Sequence, residues 1–146
     1  MSARERARAI WQAALAAGDV APLVRAHLHV DPGHACVVVL GCGKASAAMA
    51  RAAEDVLGDR ITEGFVVVKD GYTAPLRRIR LAEAGHPVPD ARGLAASARL
   101  LDLAARARED DLVLFLVSGG GSALAAAPAP PVMLEEKQHV DRKSVV

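Results

Sequence analysis

The sequence predicts an α/β fold in which helices cover both faces of a doubly wound, Rossmann-like parallel sheet. Short apolar runs alternate with longer helical segments along most of the chain, and this alternation is typical of parallel α/β sheets. Hydrophobic residues make up 52% of the 146 residues but aromatic residues only 3%, so alanine and aliphatic side chains must form the core. A chain of this length is one domain's worth and can bury most of a single core.

The first part of the chain is predicted to be helical. Ser2 and Glu5 have the spacing of a capping box, which begins a helix with one apolar stripe. Asp19 followed by Pro22 indicates a second, short helix that ends near His27. The apolar stripe of the first helix consists of Ile10, Trp11, Ala14 and Leu15.

The rest of the chain is predicted to alternate between strands and helices. A buried strand over 36–40 is broken by 41–43, and an alanine-rich helix over 44–57 is closed by Gly58. Further strands are predicted over 64–69, over 79–82 and, as a buried strand, over Leu112–Val117. A turn is expected at 70–71, a helix from the cap Asp90 to about 108, an alanine- and proline-rich linker over 125–131, and the start of another helix over 134–140.

Charge and composition exclude several classes of protein. The net charge is +1 and the arginines are spread along helices, which argues against a nucleic-acid-binding surface. No run reaches the ~18 apolar residues that a membrane helix needs, and the N-terminus is too charged for a signal peptide. Cys36 and Cys42 lack the spacing of a metal site and are expected to be free thiols in the cytoplasm. No metal ligands are predicted.

The first loop with a pattern of functional interest joins a predicted strand to a predicted helix. Gly41 and Gly43 free the turn, the helix N-terminus offers N–H donors, and Lys44 adds a positive charge, which together indicate an anion site. The spacing is not that of a P-loop. Ser46 stands where the third glycine of a dinucleotide fingerprint belongs, so a nicotinamide cofactor is disfavoured. The chain contains only four lysines, which makes a lysine at this junction less likely to be accidental.

The second loop follows Leu112–Val117 directly and is rich in glycine. Ligands of open α/β sheets bind at the carboxyl ends of the strands, and glycines let backbone N–H groups approach an anion closely. We therefore predict that this loop and the first one line an anion-binding cleft. Its residues are Ser118, Gly119, Gly120, Gly121 and Ser122.

The third loop covers 85–90 and contains two prolines, which exclude a helix or a central strand there. His86 in this loop is either a donor or acid/base group at the site or an ordinary surface histidine, and the residues leave both interpretations open. Asp90 is expected to be a helix cap. Asp70 and Tyr72 share a turn, and the sequence identifies no partner for either.

Three segments, in this order and approximate spacing, resemble the glycerate 2-kinase family. They are Gly-Cys-Gly-Lys-Ala-Ser-Ala-Ala-Met-Ala over 41–50, Gly-His-Pro-Val-Pro-Asp over 85–90 and Val-Ser-Gly-Gly-Gly-Ser-Ala-Leu over 117–124. The predicted strand that ends in Val-Lys-Asp-Gly-Tyr is also similar. The similarity runs from the first helix to about residue 140 and corresponds to the first third of a full-length member. Such members carry a C-terminal MOFRL domain, and some are named for tartrate utilisation or hydroxypyruvate reductase.

The resemblance implies ATP-dependent phosphorylation of D-glycerate at its 2-hydroxyl, which gives 2-phosphoglycerate, with Mg²⁺ or another divalent metal. The partners are then glycerate and a nucleotide, bound in a cleft between this domain and a second one. Lys44 matches a lysine important for transfer, and residues 118–122 match the glycine-rich loop that contacts ligand. Since this chain would supply half of such a cleft, we expect weak ligand binding and no turnover. A phosphate- or sugar-phosphate-binding module without catalysis is the alternative.

Residues 1–140 are predicted to form an N-terminal domain truncated before the rest of the family fold. A helix cut off after about two turns is marginal alone, so the chain is expected to be interrupted. Residues 141–146 are predicted to be a non-native tail, because one back-translation of them with a stop codon spells the start of a common sequencing adapter. An unpaired sheet edge and an uncovered apolar face would favour homo-oligomers.

Overall fold

A four-stranded, entirely parallel sheet forms the centre of the molecule, in the strand order β3-β2-β1-β4. The computed structural model describes residues 1–34 and 36–144. Helices lie on both faces of the sheet, as predicted for a doubly wound α/β fold. The elements are α1 (Ala3–Ala17), α2 (Val20–His27), β1 (Val37–Cys42), α3 (Ser46–Leu57), a 3-10 turn (Gly58–Arg60), β2 (Ile61–Lys69), β3 (Arg80–Ala84), α4 (Ala91–Ala105), β4 (Leu112–Val117), α5 (Gly121–Leu124) and α6 (Leu134–Ser144).

Alternate residues of the strands point to two separate cores. On one face, Val37, Val39 and Val66 pack against the alanine-rich side of α3. On the other face, Leu40 and Val67 pack with side chains of α4. Small residues on the helices let them lie close to the sheet, which explains how a chain nearly without aromatic residues fills its interior.

The predicted helix caps are present. The Ser2 hydroxyl accepts a hydrogen bond from the Glu5 N–H, and the Glu5 carboxylate accepts one from the Ser2 N–H. Asp19 caps α2 and Asp90 caps α4 through the Gly93 N–H. Gly58, with φ of 51°, follows α3.

Several predicted boundaries were wrong at the strands. β1 does not end at residue 40: Gly41 and Cys42 continue it and pair with both neighbouring strands, so α3 begins only at Ser46. β2 begins three residues earlier than predicted, at Ile61, and β3 lies at Arg80–Ala84. In each case the pairing with a neighbouring strand, rather than local composition, sets the end of the strand.

β4 is parallel as predicted, but it is not buried. It pairs with β1 on one side only and is the edge strand. Val113, Phe115 and Val117 face the α4 side of the sheet, where they are 37%, 46% and 63% exposed because α4 packs mainly over β2 and β3 instead. An apolar run therefore predicted the strand correctly and its burial wrongly.

The apolar stripe of α1 also remains exposed. No residue of α1 is buried, and Ile10, Trp11 and Leu15 are each more than half exposed. By contrast, α2 packs on α3, and the Arg25 guanidinium pairs with the Asp55 carboxylate at 2.8 Å. The amphipathic pattern of α1 predicts a surface that the described residues do not cover.

The last helix passes position 140 without a break. α6 extends through Ser144, and the Lys137 ammonium pairs with the Asp141 carboxylate at 2.6 Å across that position. The Gln138 amide donates to the Pro89 carbonyl at 2.8 Å, which attaches α6 to the loop after β3. The proposed domain boundary at residue 140 stays a prediction. The last two residues of the predicted tail, 145 and 146, lie outside the described part of the chain.

Within the described residues, no helix is both long and apolar enough to span a membrane.

Candidate functional site

The site lies at the carboxyl edge of the sheet, where the strand order changes direction. β1 leads through α3 to β2 on one side, whereas β4 lies on the other side of β1. In doubly wound sheets the loops after two such strands diverge to opposite faces and leave a crevice between them. The loop 43–45 after β1 and the loop 118–120 after β4 meet at this point.

Backbone and hydroxyl hydrogen bonds tie the two loops together. The Lys44 N–H donates to the Gly119 carbonyl at 3.0 Å, and the Ala45 N–H donates to the Ser118 hydroxyl at 3.0 Å. The Ser118 N–H donates in turn to the Cys42 carbonyl at 3.1 Å. Ser118 therefore caps the start of α3 from another strand and fixes the distance between the loops.

Two glycines make this arrangement possible. Gly43 has φ of 130°, and a Cβ there would overlap the Ser118 hydroxyl. Gly120 has φ of 91°, and a Cβ there would lie 2.7 Å from His86 Nε2 and 3.6 Å from Lys44 Cε. Because Gly120 has no side chain, the glycine loop lies directly against His86 and beside the exposed Lys44. The surface next to these three residues is the space considered for an anion.

Lys44 supplies the positive charge at this space. Its side chain is exposed and forms no ion pair with any residue that the structure describes. An ammonium without a carboxylate partner beside a glycine loop is suited to a phosphoryl or carboxylate oxygen.

His86 belongs to the same space, which favours the functional interpretation of this residue over the surface one. Burial lowers the pKa of His86 below its ordinary 6.5, and the nearby positive charges of Lys44 and Lys69 lower it further. The imidazole is therefore neutral at neutral pH and can accept a proton.

Sequence analysis missed two residues of this edge, Lys69 and Arg92. Lys69 is the last residue of β2, and the rarity of lysine that singled out Lys44 applies equally to it. Arg92 in α4 donates to both oxygens of Asp70, at 2.6 and 2.9 Å, and to Asp90 at 2.9 Å. It is thus the partner of Asp70 that no local pattern could identify, since the two residues are brought together only by the packing of α4.

The other predicted site residues have different positions. Gly41 lies inside β1, where a Cβ would come within 2.6 Å of the Leu116 carbonyl, so this glycine is required by the packing of the sheet. Ser46 is fully buried and its hydroxyl donates to the Leu116 carbonyl at 3.3 Å. Gly119 and Ser122 are exposed at the rim, and Gly121 packs over the Cys42 sulfur. The two cysteines are free, as expected, and burial raises the pKa of the Cys42 thiol.

The donor set of the described residues fits an anion and not a divalent metal. Mg²⁺ prefers carboxylate, phosphate and water oxygens. No group of three histidine, cysteine or acidic side chains in the described part of the chain is placed to hold a metal ion, and Asp70 and Asp90 are both engaged by Arg92. Lys44 instead presents an ammonium group, while the N–H groups of Gly43, Lys44 and Ala45 are bonded within the protein.

Comparison with known families assigns the chain. Residues 6–144 match the family described as a domain of unknown function, DUF4147. The chain belongs to this family. The DUF4147 match covers the whole sheet and both glycine-containing loops.

Relatives of this DUF4147 chain carry two kinds of name. It is 40% identical over 142 residues to a protein of Agrobacterium vitis named for hydroxypyruvate reductase, a match that covers 97% of the chain and 32% of that protein. It is 46% identical over 103 residues to the D-glycerate 2-kinase of Thermotoga maritima, which covers 70% of the chain and 25% of that protein. The chain therefore spans about a third or less of the length of the curated relatives it matches.

Solved structures agree with the fold. A crystal structure of a protein from Pyrococcus horikoshii aligns with a TM-score of 0.80 and 36% identity over 92% of the chain and 33% of that protein. The crystal structure of glycerate kinase from Thermotoga maritima aligns with a TM-score of 0.69 and 41% identity, covering 81% of the chain and 27% of that one. The resemblance to the glycerate 2-kinase family and the predicted fold class are confirmed.

Proposed function

We propose that this DUF4147 chain binds phosphoryl groups at the carboxyl edge of its sheet, as part of a kinase that phosphorylates D-glycerate at the 2-hydroxyl with ATP. The observation that carries the proposal is the exposed Lys44, which forms no ion pair with a described residue and lies beside a glycine loop that contacts His86. Relatives named glycerate kinase support the choice of substrate.

Each side chain has a distinct role in this proposal. Phosphoryl transfer requires positioning and neutralisation of charge more than covalent participation of the protein. Lys44 neutralises the oxygens of the transferred phosphoryl group, and the glycines at 119 and 120 let those oxygens approach the backbone closely. His86 accepts the proton of the 2-hydroxyl as its oxygen bonds to phosphorus and the bond to the departing nucleotide breaks.

Mg²⁺, which the family resemblance implies, has no holder among the described residues. A divalent ion would supply further neutralisation of phosphate charge if it were bound. No role is assigned to it here, because the carboxylates nearest to the site are paired with Arg92.

The second candidate is a phosphate-binding module without catalysis. The observation that favours it is that hydrogen bonds within this chain alone hold the two loops of the site together. Such a module would bind phosphate or a sugar phosphate and release it unchanged.

Two measurements test the proposals. Inorganic phosphate is titrated into ¹⁵N-labelled chain, and the proposed site predicts shifts of the Lys44 and Gly120 amides that Lys44→Met abolishes; no shift there would refute the site. The chain is then incubated with ATP, Mg²⁺ and D-glycerate, and 2-phosphoglycerate is measured. We expect binding without product, and product formation would overturn the expectation that the chain alone does not turn over.

A test of the kinase assignment requires the gene sequence around and beyond codon 140. Amplifying genomic DNA across and beyond codon 140 establishes whether the reading frame continues. If it does, the longer protein is expected to form 2-phosphoglycerate and to lose that activity on Lys44→Met. If the longer protein binds phosphate but forms no product, the binding-module function is favoured.

A further inference from the structure

Lys69 is a second cationic residue at the carboxyl edge, and no predicted role accounts for it. It pairs in register with Ala84, two residues before His86. Phe65 and Val67, at the alternate positions before it, pack into the core on the α4 face, so the side chain of Lys69 continues that row. It therefore lies on the face of the sheet where the loop carrying His86 crosses.

The carboxylates around Lys69 are already engaged by other groups. Arg92 binds both oxygens of Asp70 and one of Asp90, and Glu83 accepts a hydrogen bond from the Gly71 N–H at 2.5 Å. Lys69 forms no ion pair with a described residue, and its ammonium lies 5.3 Å from the centroid of the Tyr72 ring. Each of these carboxylates is thus hydrogen-bonded to another group, and Lys69 has no carboxylate partner among the described residues.

Lys69 and Lys44 act on the same imidazole from two different strands. Cys42 of β1 pairs in register with Val67 of β2, and the next N–H of the chain, that of Gly43, donates to the Val67 carbonyl at 3.1 Å, so Lys44 and Lys69 follow the same level of two neighbouring strands. Both positive charges also lower the pKa of His86. Lys44 follows β1 and Lys69 ends β2, so the two cations approach His86 from separate elements. Two cations on separate elements can bind two anionic groups of the same ligand.

Building on the proposed function, we infer that Lys69 binds the carboxylate of a ligand whose phosphoryl group is held by Lys44 and the glycine loop. The site then selects small phosphorylated hydroxy acids over phosphate esters that lack a carboxylate. Lys69 is a specificity-determining residue in this inference, whereas Lys44 serves every phosphorylated ligand.

A matched pair of ligands tests the inference. 2-Phosphoglycerate and glycerol 2-phosphate differ in that a carboxylate of the first is a hydroxymethyl group in the second. Their dissociation constants are measured by calorimetry at about 0.15 M salt, where distant charges are screened. The wild-type chain is expected to bind 2-phosphoglycerate about tenfold more tightly, as one charge-assisted hydrogen bond allows.

Variants then separate the two cations. Lys69→Met should remove the tenfold preference and leave the affinity for glycerol 2-phosphate within about twofold, while Lys69→Arg should keep the preference. Lys44→Met should weaken both ligands. Lys137→Met in α6, where Lys137 pairs with Asp141, loses the same charge and should change neither, which controls for net charge.

The results separate the carboxylate role of Lys69 from the phosphoryl site of the proposed function. If Lys69→Met weakens both ligands equally, or neither, while Lys44→Met weakens both, the phosphoryl site stands and the carboxylate role of Lys69 is overturned. If the wild-type chain binds neither ligand, the proposed function fails and the inference fails with it. Unchanged binding of glycerol 2-phosphate by Lys69→Met also shows that this variant is folded.

Discussion

Gly120 is the residue of the site at which a single added carbon has the largest expected effect. Its φ of 91° disfavours any side chain, and an added Cβ would lie only 2.7 Å from His86 Nε2. The backbone conformation and the contact with His86 therefore make the same demand on this position. A glycine-rich motif predicted this loop, but only the fold identifies which of its glycines faces the site.

Gly120→Ala should abolish phosphate binding and lower the free energy of unfolding by about 1–3 kcal/mol, the cost of placing a side chain at positive φ. Phosphate titration and urea denaturation measure the two effects. Gly58→Ala is the control, because Gly58 also has positive φ but nothing lies within 4 Å of its added Cβ. It should lose stability and keep phosphate binding; phosphate binding retained by Gly120→Ala would contradict the assignment of the site.

The protonation of His86 depends on the two lysines. Burial and both ammonium groups lower the pKa of His86, so removing either charge should raise that pKa toward 6.5 while burial still holds it down. Titration of the imidazole by NMR in Lys44→Met and in Lys69→Met checks this. Since bound phosphate adds negative charge, it should also raise the pKa of His86, and an unchanged value would argue against binding at this space.

At the level of elements, Glu54 connects α3 to the segment before β3. Its side chain is only 1% exposed, and its oxygens accept hydrogen bonds from the N–H groups of Arg77, Arg78 and Ile79 at 2.7–2.9 Å. Burial alone raises the pKa of Glu54, but these hydrogen bonds and the charge of Arg77 outweigh it, so the pKa is lowered overall.

Glu54→Ala should cost about 2–4 kcal/mol of unfolding free energy at pH 7, since it leaves backbone donors without an acceptor. Because the folded-state pKa lies below the ordinary 4.5, this stabilisation is present above that pH and is lost as the pH falls through the folded-state value. Urea denaturation from pH 7 to pH 3 measures both effects. Glu63→Ala, which removes partly exposed ion pairs with Arg99 and Arg106, should cost about 1 kcal/mol or less; equal losses would contradict the role of Glu54.

The helices and strands show which structural features a local sequence pattern can predict. Caps at Ser2, Asp19 and Asp90 depend on neighbouring residues in the chain, so the sequence predicted them correctly. The ends of β1 and β2 depend on strands far away in sequence, so their boundaries were missed. The apolar run predicted β4 to be buried, but such a run does not reveal that the described helices leave one face of the strand uncovered.

At the scale of the whole molecule, two apolar surfaces remain uncovered within the described residues. One is the apolar stripe of α1. The other is the face of the edge strand β4 that carries Val113, Phe115 and Val117. An edge strand also presents unpaired backbone N–H and carbonyl groups, which favour association with another chain.

We expect the chain to self-associate as its concentration rises, because burying Phe115 and its neighbours between copies removes apolar area from water at ~25 cal/mol per Å². Sedimentation at increasing concentration measures this. Phe115→Lys should shift the chain toward monomer. The matched control is Val56→Lys, because Val56 lies on the exposed surface of α3. Leu81→Lys would not serve as a control, because Leu81 packs against the core. A chain that stays monomeric throughout would refute the expectation.

The sequence by itself determined the α/β class, the helix caps and the two glycine loops, because each depends on contiguous residues. The role of Lys44, which the sequence also singled out, stays a prediction. Only the tertiary structure decided that His86 faces Gly120, that Arg92 binds both Asp70 and Asp90, and that Lys69 lies at the same edge. Those relations join residues from different strands and helices, and the packing of α4 against the sheet brings them together. No local pattern encodes a distance between residues that are far apart in the chain.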